Sequence, residues 1–394
     1  MRYIFDYMIE LIKKLSSDVF DEVVEIRRYL HMNPELSFEE FETSRYIKNT
    51  LNSWGIKFSD NYSNNGLSVV IEGKHPNSRV VALRADFDAL PIYEENDISY
   101  KSKNEGVMHA CGHDAHTACL LGALKILYKT KEKWNGTIKF IFQPAEERIP
   151  GGAKQMIEDG VLKNPHVENV IAQHVLPELE VGKVGFRCGT YMASTDEIYV
   201  SIVGHGGHAA IPEKYNNPII ASSKLILDFN QFFEQKEDSI FAIGYVKADG
   251  STNVIPDEVN LMGTFRSLSE DFRRRSHMDM KQIVKKVSEK YDVKIDLEIR
   301  NGYPALNNDD ELTKKIIFKA KEYMGEKNVI DLPIRMTAED FSYFANEIPS
   351  CFYRLGTGNK SKGLIHGLHT SKFNIDENSL RIGTGLMAYL AVSY

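Results

Sequence analysis

Short apolar runs along the chain stop abruptly at polar residues, a pattern typical of strands that end at a functional edge. The run SRVVALRADFDALP stops at Asp86 and Asp88, GTIKFIFQPAEE stops at Glu146 and Glu147, and NVIAQHV stops at His174. Between these runs, residues 115–128 and the segment GGAKQMIEDGVL carry apolar residues at helical spacing, and the second segment closes on a glycine as helices commonly do. The alternation predicts an α/β fold with a mostly parallel sheet covered by helices.

From about residue 188 the pattern becomes that of a smaller unit. It has several short strands, a helix that begins at Pro218 and a second, charged helix from Asp271 to Tyr291. These elements predict a small α+β domain, with one sheet and two helices, inserted into the larger one. After residue 300 the earlier pattern resumes and continues to the end of the chain. We therefore place the inserted domain at 188–299 and the larger domain at 1–187 and 300–394.

The length, composition and charge of the chain favour a globular enzyme of two domains without a nucleic-acid partner. A chain of 394 residues exceeds the usual size of one hydrophobic core, so two domains are expected. Hydrophobic residues make up 42% and charged residues 26%, and both values fit a globular enzyme. The formal net charge of −7 and the lack of a basic block argue against a nucleic-acid partner.

The N-terminus and the cysteines bear on location. The stretch MRYIFDYMIELIKKL places acids along an apolar helical pattern, which predicts an amphipathic helix and not a signal peptide. No apolar run reaches the roughly 20 residues that a membrane-spanning helix needs. The cysteines are scattered without CxxC pairing and form no disulfide framework: Cys111, Cys119, Cys188 and Cys351. We expect a cytoplasmic protein without a membrane partner.

The stretch MHACGHDAHTACLL contains residues with the chemistry of metal ligands. In an extended segment side chains alternate, so His109, Cys111 and His113 can point to the same side. A thiolate and imidazoles suit zinc and neighbouring divalent ions. On this pattern alone the alternative stays open, namely a buried cysteine and two hydrogen-bonded histidines at the entrance to a helix. Glu147 and His174, at other strand ends, strengthen the metal interpretation.

Two pairs of acids follow predicted strands. Glu146 and Glu147 come after an apolar strand and Pro144, at the edge where ligands of parallel sheets gather. Two neighbouring carboxylates can divide two tasks there, since one can bind a metal while the other moves a proton. Asp86 and Asp88 can orient ligands through hydrogen bonds. Asp88 is the stronger candidate because the chain turns sharply there, and two acids of an ordinary turn are the alternative.

Two further stretches add histidines. GHGGHAAIP lacks the GK[ST] of a phosphate-binding loop, so its glycines predict a sharp turn that presents His205 and His208. An ordinary loop histidine is the alternative for either. Near the end of the chain, His366 and His369 gain meaning only if a metal site needs another ligand.

These motifs together resemble the M20 metallopeptidase family, and specifically its amidohydrolase branch. The resemblance covers nearly the whole chain and rests on RRYLHMNPELSFEEFETS, LRADFDALPI, GVMHACGHDAHTA, FQPAEE, GGAKQMIEDG, GHGGHAAIP, NVIPD, GTFRS, AEDFS and LHTSKFNIDENSL. It implies that residues 1–187 and 300–394 form a metal-binding catalytic domain and that 188–299 form a lid domain. Because the family's lid commonly mediates dimerisation, we expect a homodimer or a higher oligomer.

The resemblance also implies roles for individual residues. Two divalent metal ions, zinc or manganese with cobalt or nickel as alternatives, would be held by five ligands: Cys111, His113, Glu147, His174 and His369. In the family the ligand at the helix entrance lies between the two metals, so Cys111 is expected to bridge them. Glu146 matches the general base, and His208 matches a lid histidine that reaches an active site, often across the dimer. Asn253 and Arg266 fall in lid motifs associated with substrate binding.

Some positions depart from the broader family. Asp86 stands where the broader peptidase family has a histidine, as is usual for the amidohydrolase branch. The segment EERIPGGA replaces a more glycine-rich connection, and Lys372 stands where a proline is common. The last two positions lie near the rim of the expected site, so they bear on specificity and not on the chemistry.

The implied activity is metal-dependent hydrolysis of the amide bond of N-acyl amino acids, which are small molecules. Glu146 would accept a proton from the attacking water and pass it to the leaving amine, while His208 donates to the oxyanion. The alternative within the family is a dipeptidase, aminopeptidase or carboxypeptidase that acts on short peptides. A metal- or ligand-binding protein without catalysis is a third interpretation, which the intact ligand set and Glu146 disfavour.

Overall fold

The computed structural model of the protein describes residues 2–234, 236 and 238–394, and it describes side chains for all of them except residues 2–6 and 61. Contacts between Cα atoms divide the chain into two units, each with its own hydrophobic core. The first unit comprises Met1–Gly189, Asn307–Pro333 and Tyr343–Tyr394, and the second comprises Thr190–Leu306 and Ile334–Ser342. The role of residues 188–299 as a lid stays a prediction, because compactness alone does not test what a unit does.

The α-helices follow the apolar spacing of the sequence. In chain order they are α1 (Arg2–Asp18), α2 (Phe20–Met32), α3 (Phe41–Ser53), α4 (His113–Lys129), α5 (Gly152–Glu158), α6 (Pro218–Phe233), α7 (Glu270–Tyr291), α8 (Asp310–Met324), α9 (Ser342–Glu347) and α10 (Asn378–Ser393). Short 3₁₀ turns lie at Pro76–Ser78, Lys131–Lys133, Pro212–Lys214, Glu326–Asn328 and Lys360–Lys362. The predicted N-terminal helix is α1, and Met1 lies outside the described residues. α4 begins inside the HACGHD motif, earlier than the predicted start at residue 115.

The strands form one large sheet and several smaller ones. They are β1 (Ser59–Tyr62), β2 (Gly66–Glu72), β3 (Val80–Asp86), β4 (Thr137–Gln143), β5 (Asn169–Glu180), β6 (Val184–Phe186), β7 (Gly189–Met192), β8 (Asp196–Val203), β9 (Gly207–His208), β10 (Ser239–Ala248), β11 (Val254–Ile255), β12 (Glu258–Ser267), β13 (Lys294–Asn301), β14 (Leu306–Asn308), β15 (Val329–Asp331) and β16 (Ser350–Gly358). β7, β14 and α9 contain points at which the chain passes from one unit to the other.

The large sheet belongs to the first unit and has the strand order β1-β2-β4-β3-β5-β16-β6-β15. The pairings of β4 with β3, β3 with β5, β5 with β16 and β6 with β15 are parallel. The pairings of β1 with β2, β2 with β4 and β16 with β6 are antiparallel. The predicted mostly parallel sheet is therefore confirmed, with antiparallel strands joined to a parallel centre.

The register of the central strands brings their polar ends together. Asp86 at the end of β3 pairs with Gln143 at the end of β4, so the segments that follow both strands leave the sheet at the same level. β5 does not stop at His174, as its sequence predicts, but continues to Glu180 because β16 keeps pairing with it. His174 thus projects from within a strand, where it pairs with Arg354.

α4 is buried on almost every side. Leu120, Leu121, Leu124 and Leu127 have no exposed surface, since the helix packs against β3, α2 and α10. A helix that is apolar all round belongs in a core, and replacing one such leucine with alanine costs about 2–5 kcal/mol. The rigid position of α4 fixes the residues at its start. Among the described helices, none is long and apolar enough to cross a lipid bilayer.

The second unit has an antiparallel sheet with the strand order β10-β12-β8-β13. α6 and α7 pack against it around aromatic residues such as Phe229, Phe233 and Phe265. Both helices begin at side-chain caps, because Asn217 accepts from the Ile219 amide and Ser269 accepts from the Phe272 amide. The predicted small sheet with two helices is confirmed, and β10 lies at one edge of it.

Candidate active site

The turn before α4 places two predicted ligands next to each other. Gly112 has φ of +81°, and a Cβ atom there would lie 2.5 Å from Cγ2 of Val175. Glycine alone satisfies both the left-handed backbone and the close approach. Cys111 and His113 flank this turn and are buried. Sγ of Cys111 lies 3.5 Å from Nε2 of His174 on β5, so the turn meets the neighbouring strand at a possible ligand.

The predicted ligands form two groups that share a cysteine. Ligand atoms of Cys111, His113 and His174 all lie within 4.8 Å of one another, and the same holds for Cys111, Glu147 and His369. Oε1 of Glu147 lies 3.3 Å from Nε2 of His369 and 3.9 Å from Nε2 of His113. The structure therefore brings together all five residues that were predicted as metal ligands, with Cys111 in both groups.

The donor atoms of these groups fit divalent metal ions. Thiolate sulfur, imidazole nitrogen and carboxylate oxygen are the donors that zinc and its neighbours take in proteins. Across the part of the chain that the structure describes, Nε2 of His113 and Oε1 of Glu147 are buried without a hydrogen-bond partner. Buried polar atoms normally have partners, and a metal ion bound between these groups would supply one to each of the two atoms.

Asp88 connects two of the predicted ligands. Its Oδ1 lies 3.1 Å from Nδ1 of His113, and its Oδ2 accepts from the Glu147 amide at 2.9 Å and from the Ser37 hydroxyl at 2.7 Å. Burial raises the pKa of Asp88, but its hydrogen bonds outweigh burial and hold the pKa below its usual value. The contact with Nδ1 leaves Nε2 of His113 to face the other ligands, which is the arrangement that metal-bound histidines usually have.

Acidic groups dominate the electrostatics of the site. Burial lowers the pKa of His113, but nearby carboxylates, chiefly Asp86 and Asp88, raise it to about 10. Burial and the carboxylate of Glu147 raise the pKa of Cys111 well above its usual value. A cation held among these groups offsets the same negative charges and favours the thiolate and the neutral imidazole, which are the forms that bind metals.

Glu146 lies among the predicted ligands. One of its carboxylate oxygens is within 4.8 Å of ligand atoms of His113 and Glu147. The residue is buried, with 5% of its surface exposed. A carboxylate that exchanges protons with a group reacting beside the ligands requires this proximity.

The turn that carries Glu146 has an uncommon backbone. Ala145 has φ of +54°, a left-handed conformation that costs an L-residue about 1–2 kcal/mol. The Gly152 amide donates to the Ala145 carbonyl at 2.9 Å, and a Cβ atom at Gly152 would lie 1.9 Å from the carbonyl oxygen of Pro144. Glycine at position 152 therefore lets the start of α5 close onto this turn.

The structure does not bring His109 into either ligand group. The residues between His109 and α4 form a turn, in which the Gly112 amide donates to the His109 carbonyl at 3.3 Å. Side chains therefore do not alternate as they would in an extended segment. The His109 ring is buried, neither of its nitrogens has a hydrogen-bond partner within the described residues, and burial lowers its pKa to about 4.

A buried chain of hydrogen bonds lies beside His174, and only its central member, Asp86, was singled out from the sequence. Nη1 of Arg84 donates to Oδ2 of Asp86 at 2.6 Å, and Oδ1 of Asp86 lies 2.6 Å from Nδ1 of His116. Nε2 of His116 accepts from the Val175 amide at 2.9 Å, so the ring proton is on Nδ1 and points to Asp86. Both nitrogens of His116 are engaged, which makes it a support for the strand that carries His174 and not a ligand.

The sequence signal for these buried hydrogen bonds is the spacing between His113 and His116. It follows His113 by three residues in HDAH, so the two imidazoles lie on one face of α4, with ring centroids 5.3 Å apart. Asp86, which was predicted to orient ligands through hydrogen bonds, is completely buried and hydrogen-bonds to His116, which is not among the predicted ligands.

A second buried network lies at the first turn of α4. Nε of Arg27 donates to Oδ2 of Asp114 at 2.8 Å, and Nδ1 of His31 lies 2.8 Å from the same oxygen. Nε2 of His31 in turn lies 3.0 Å from Oε1 of Glu94. The signal in the sequence is the presence of Arg27 and His31, four residues apart, on the face of α2 that also buries Val23 and other apolar residues.

Comparison with known proteins decides the family. The family described as Peptidase family M20/M25/M40 matches residues 82–393 of the chain. The chain belongs to this M20 family. Its resemblance to the amidohydrolase branch is confirmed by an N-acyl-L-amino acid amidohydrolase from Geobacillus stearothermophilus, which is 38% identical over 77% of this chain and 82% of that protein. With the ligand groups described above, this M20 chain is a metal-dependent hydrolase of amide bonds.

Two more relatives of this M20 chain extend the comparison. Thermostable carboxypeptidase 2 from Saccharolobus solfataricus is 36% identical over 98% of this chain and 99% of that protein. The crystal structure of a dinuclear metal binding peptidase of the M20 family from Bacillus subtilis superimposes with a TM-score of 0.81 at 30% identity. The superposition covers 95% of this chain and 98% of that one. Both relatives match this M20 chain over nearly its full length, so the resemblance includes both of its units.

Two of the residues predicted for the M20 lid lie on one ribbon of the second unit. His208 on β9 pairs with Val254 on β11, and the Ala209 amide donates to the Asn253 carbonyl at 3.0 Å. His208 is exposed, and its Nδ1 accepts from the Ala210 amide at 3.1 Å. This bond leaves Nε2 of His208 as the nitrogen that carries a proton when the ring is neutral.

Arg266, the third residue predicted for the M20 lid, lies on β12. It is half-buried, and its Nη1 donates to the Met336 carbonyl at 3.2 Å. Burial lowers the pKa of Arg266, although a guanidinium keeps its charge in proteins. Its contact with substrate stays a prediction, as do the roles of the two ribbon residues.

Proposed function

We propose that the enzyme hydrolyses the amide bond of N-acyl amino acids and releases a carboxylic acid and an amino acid. The observation that carries the proposal is the pair of ligand groups that share Cys111, with the carboxylate of Glu146 within 4.8 Å of His113 and Glu147. The Geobacillus relative, named for this activity, supports the substrate class at 38% identity.

Two divalent metal ions would be held by these groups. Cys111, His113 and His174 would hold one ion, and Cys111, Glu147 and His369 the other. A divalent ion supplies Lewis acidity, which polarises a carbonyl oxygen and makes water more acidic. The donor set suits zinc or manganese, and cobalt or nickel accept the same atoms.

Proton transfer and the positioning of the ligands would be carried out by residues of the chain itself. Glu146 would accept the proton of the attacking water and deliver it to the nitrogen of the leaving amine. Asp88 would keep His113 and Glu147 in place through the hydrogen bonds described above. Because these groups are buried, their hydrogen bonds and charges act in a low-dielectric surrounding, where they are stronger than in water.

Three residues of the second unit have proposed roles that rest on the family motifs. His208 would donate a hydrogen bond to the oxyanion that forms when water adds to the carbonyl. Asn253 and Arg266 would contact the substrate. His208 lies on β9, Asn253 lies in the turn directly before β11, and Arg266 lies on β12.

We also propose that the enzyme is a homodimer through the second unit. The edge strand β10 carries no acidic or basic residue from Ser239 to Val246, and 57% of Val246 and 42% of Tyr245 are exposed. An edge strand with unpaired backbone groups and apolar side chains pairs readily with another chain. A second copy of this strand is its proposed partner.

A second candidate function is hydrolysis of short peptides. The observation that favours it is the relative named thermostable carboxypeptidase 2, which matches almost the full length of the chain at 36% identity. The same ligand groups and Glu146 serve a peptide bond as well as an N-acyl bond, since both are amides. The two candidates therefore differ in the group on each side of the bond.

A substrate panel separates the candidates. Metal-stripped protein, resupplied with zinc, manganese, cobalt or nickel, is tested on N-acetyl, N-benzoyl and longer N-acyl amino acids and on dipeptides. We expect metal-restored turnover of acylated amino acids, with dipeptides cleaved more slowly. Cleavage of dipeptides alone would establish the peptidase instead. A silent panel with two metals bound per chain would contradict both proposals.

A further inference from the structure

Glu40 is a completely buried carboxylate that the mechanism above does not use. It lies in the loop before α3, and its backbone carbonyl accepts from the Ser44 amide. Its Oε1 accepts from the Ala145 amide at 2.8 Å, across 105 residues of sequence. A buried acid is costly unless hydrogen bonds satisfy it, so a carboxylate at this point calls for an explanation.

Glu40 is itself held in place. Its Oε2 accepts from Nδ2 of Asn65 at 3.1 Å. Asn65 is buried, and its backbone carbonyl accepts from the Ser44 hydroxyl at 2.7 Å. Because Ser44 belongs to α3, the carboxylate is fixed between a helix and the turn before β2 and does not move freely.

The hydrogen bond to Glu40 comes from Ala145, the residue with a left-handed backbone in the turn that follows β4. Ala145 comes directly before Glu146, and its amide points to Glu40. On the other side of Glu146, the Glu147 amide donates to Asp88 at 2.9 Å. The backbone amides of the residues directly before and directly after Glu146 therefore donate to buried carboxylates that come from different segments.

We infer that Glu40 is a positioning residue for Glu146, which it serves by accepting the Ala145 amide and so holding the turn that aims the Glu146 carboxylate at the ligand groups. The inference rests on the proposed function, in which Glu146 moves the proton. Asp88 holds the far side of the same turn, but it also contacts His113, so its loss would disturb a ligand as well. Glu40 has no such contact among its hydrogen bonds given above, which makes it the cleaner position to test.

The hydrogen bonds predict which replacements the site tolerates. Glutamine keeps an acceptor for the Ala145 amide, and its side-chain amide donates to Asn65 once the Asn65 amide turns over. Leucine removes the acceptor and leaves the Ala145 amide buried without a partner. Aspartate keeps the charge but is one methylene shorter, so it does not reach the Ala145 amide. Burial and the nearby Asp88 raise the pKa of Glu40 to about 7, which agrees with tolerance of a neutral replacement.

The test compares Glu40→Leu, Glu40→Asp and Glu40→Gln in the metal-loaded enzyme. We expect kcat to fall about 10- to 100-fold in the first two variants, with KM within about twofold and metal content unchanged. Glu40→Gln is expected to keep kcat within about threefold. Glu39→Leu is the matched control, because Glu39 is the exposed neighbour in the same motif, and it is expected to behave as the wild type.

Hydrogen exchange supplies a readout that does not depend on activity. In Glu40→Leu and Glu40→Asp, amides of residues 145–147 should exchange faster than in the wild type, while those of α4 should not change. If the wild type hydrolyses nothing in the panel but these amides respond, the proposed function fails and the contact of Glu40 with the turn stands. Wild-type kcat in Glu40→Asp, unchanged exchange, or a Glu40→Gln variant as impaired as Glu40→Leu would each overturn the inference. Glu40→Asp and Glu40→Gln keep a polar side chain, so they test the inference even if Glu40→Leu fails to fold.

Discussion

Two regions of the chain contrast with each other, namely the buried charges beside the large sheet of the first unit and the exposed apolar edge strand of the second. In the first unit, side chains such as Arg84, Asp86 and Asp114 carry charge with no exposed surface. In the second, apolar residues of β10 such as Val246 lie on the surface. A buried charge costs desolvation free energy, and an exposed apolar strand promotes association with other chains. Each persists where a task requires it, and the proposed tasks are catalysis in the first unit and pairing with a second copy in the other.

The second unit also contains a buried ionic group, and it differs in kind. Asp196 accepts from Nε of Arg273 at 3.0 Å and lies 2.7 Å from Nε2 of His277. These partners satisfy the carboxylate from within the unit. At the proposed metal site of the first unit, by contrast, Nε2 of His113 and Oε1 of Glu147 have no hydrogen-bond partner among the residues that the structure describes. The carboxylate of Asp196 is thus satisfied by protein groups, whereas under the proposed function a metal ion would satisfy these two atoms.

The largest expected effect concerns Glu146, the proposed general base. Glu146→Gln keeps the size of the side chain and removes its capacity to accept a proton. We expect kcat to fall about 10²- to 10⁴-fold while the metal content stays at two ions per chain. Steady-state kinetics and elemental analysis measure the two quantities. Near-normal kcat would remove Glu146 from the mechanism, and loss of metal would show that it is a ligand instead.

Metal removal should affect the two units unequally. At a metal concentration about 1,000 times the dissociation constant, binding stabilises the folded state by about 4 kcal/mol. We expect this gain in β5 and at the start of α4, where the ligands lie, and little change in β8 and α7. Hydrogen exchange with and without zinc measures both regions. Equal protection in α7 would show that the metal stabilises both units to the same extent, contrary to this expectation.

Mutation of the buried ionic group of the second unit should lower stability whether or not metal is bound. Asp196→Asn leaves the Arg273 guanidinium buried without its full partner, and we expect α7 and β8 to lose about 3 kcal/mol of stability near pH 7. Hydrogen exchange of these elements measures the loss. The exposed pair of Lys285 and Glu289 on α7 provides the control, since Glu289→Gln should change little. A loss in β5 as large as that in α7 would contradict a local role.

The same variant has a pH dependence whose sign follows from the structure. Burial raises the pKa of Asp196, but the hydrogen bonds from His277 and Arg273 outweigh burial and lower the pKa below its usual value. A group with a lowered folded pKa stabilises the fold above its unfolded pKa, about 3.9, and loses this contribution as the pH falls through the folded value. The difference between wild type and Asp196→Asn should therefore shrink below about pH 4. A difference that grows on acidification would contradict the assignment.

The smallest effect on stability is expected at the edge of the second sheet. Val246→Lys places a charge on the exposed strand β10, and we expect the unfolding free energy of the monomer to change by less than about 0.5 kcal/mol. The dimer dissociation constant should rise about tenfold or more, because a buried valine contributes about 1.5 kcal/mol to an interface. Analytical ultracentrifugation measures it, with Lys285→Ala as a control on an exposed helix face. A wild type that is monomeric at all concentrations would contradict the proposed dimer.

The sequence was informative about which residues gather at the edge of the first sheet. Cys111, His113 and Glu147 lie in motifs whose residue types match metal ligands. An apolar strand that is followed by acids, as β4 is, indicates that these acids lie at the carboxyl edge of the sheet. The family resemblance supplied His369, which no local pattern singles out. The structure brings these residues together, and their roles as ligands stay predictions.

The polar residues that hold this edge in place were harder to predict. Arg84, Arg27 and Glu40 have charged side chains, and a charge in a sequence normally indicates solvent. Their partners lie far along the chain, as with Glu40 and Ala145, and no spacing rule encodes such a pairing. For His109 the error was local, because an extended segment was assumed where the backbone turns. Apolar spacing predicts helices and strands, but not the partner of a buried charge.

The close contact between Gly112 and Val175 has a consequence for how this gene can change. Two separate constraints keep residue 112 a glycine, namely its left-handed φ and the 2.5 Å that a Cβ atom would leave to Val175. A second mutation, such as Val175→Ala, relieves the contact but not the backbone conformation. Suppressor screens that start from Gly112→Ala should therefore recover true revertants far more often than compensating changes. We therefore expect glycine to be the residue that evolution retains at position 112.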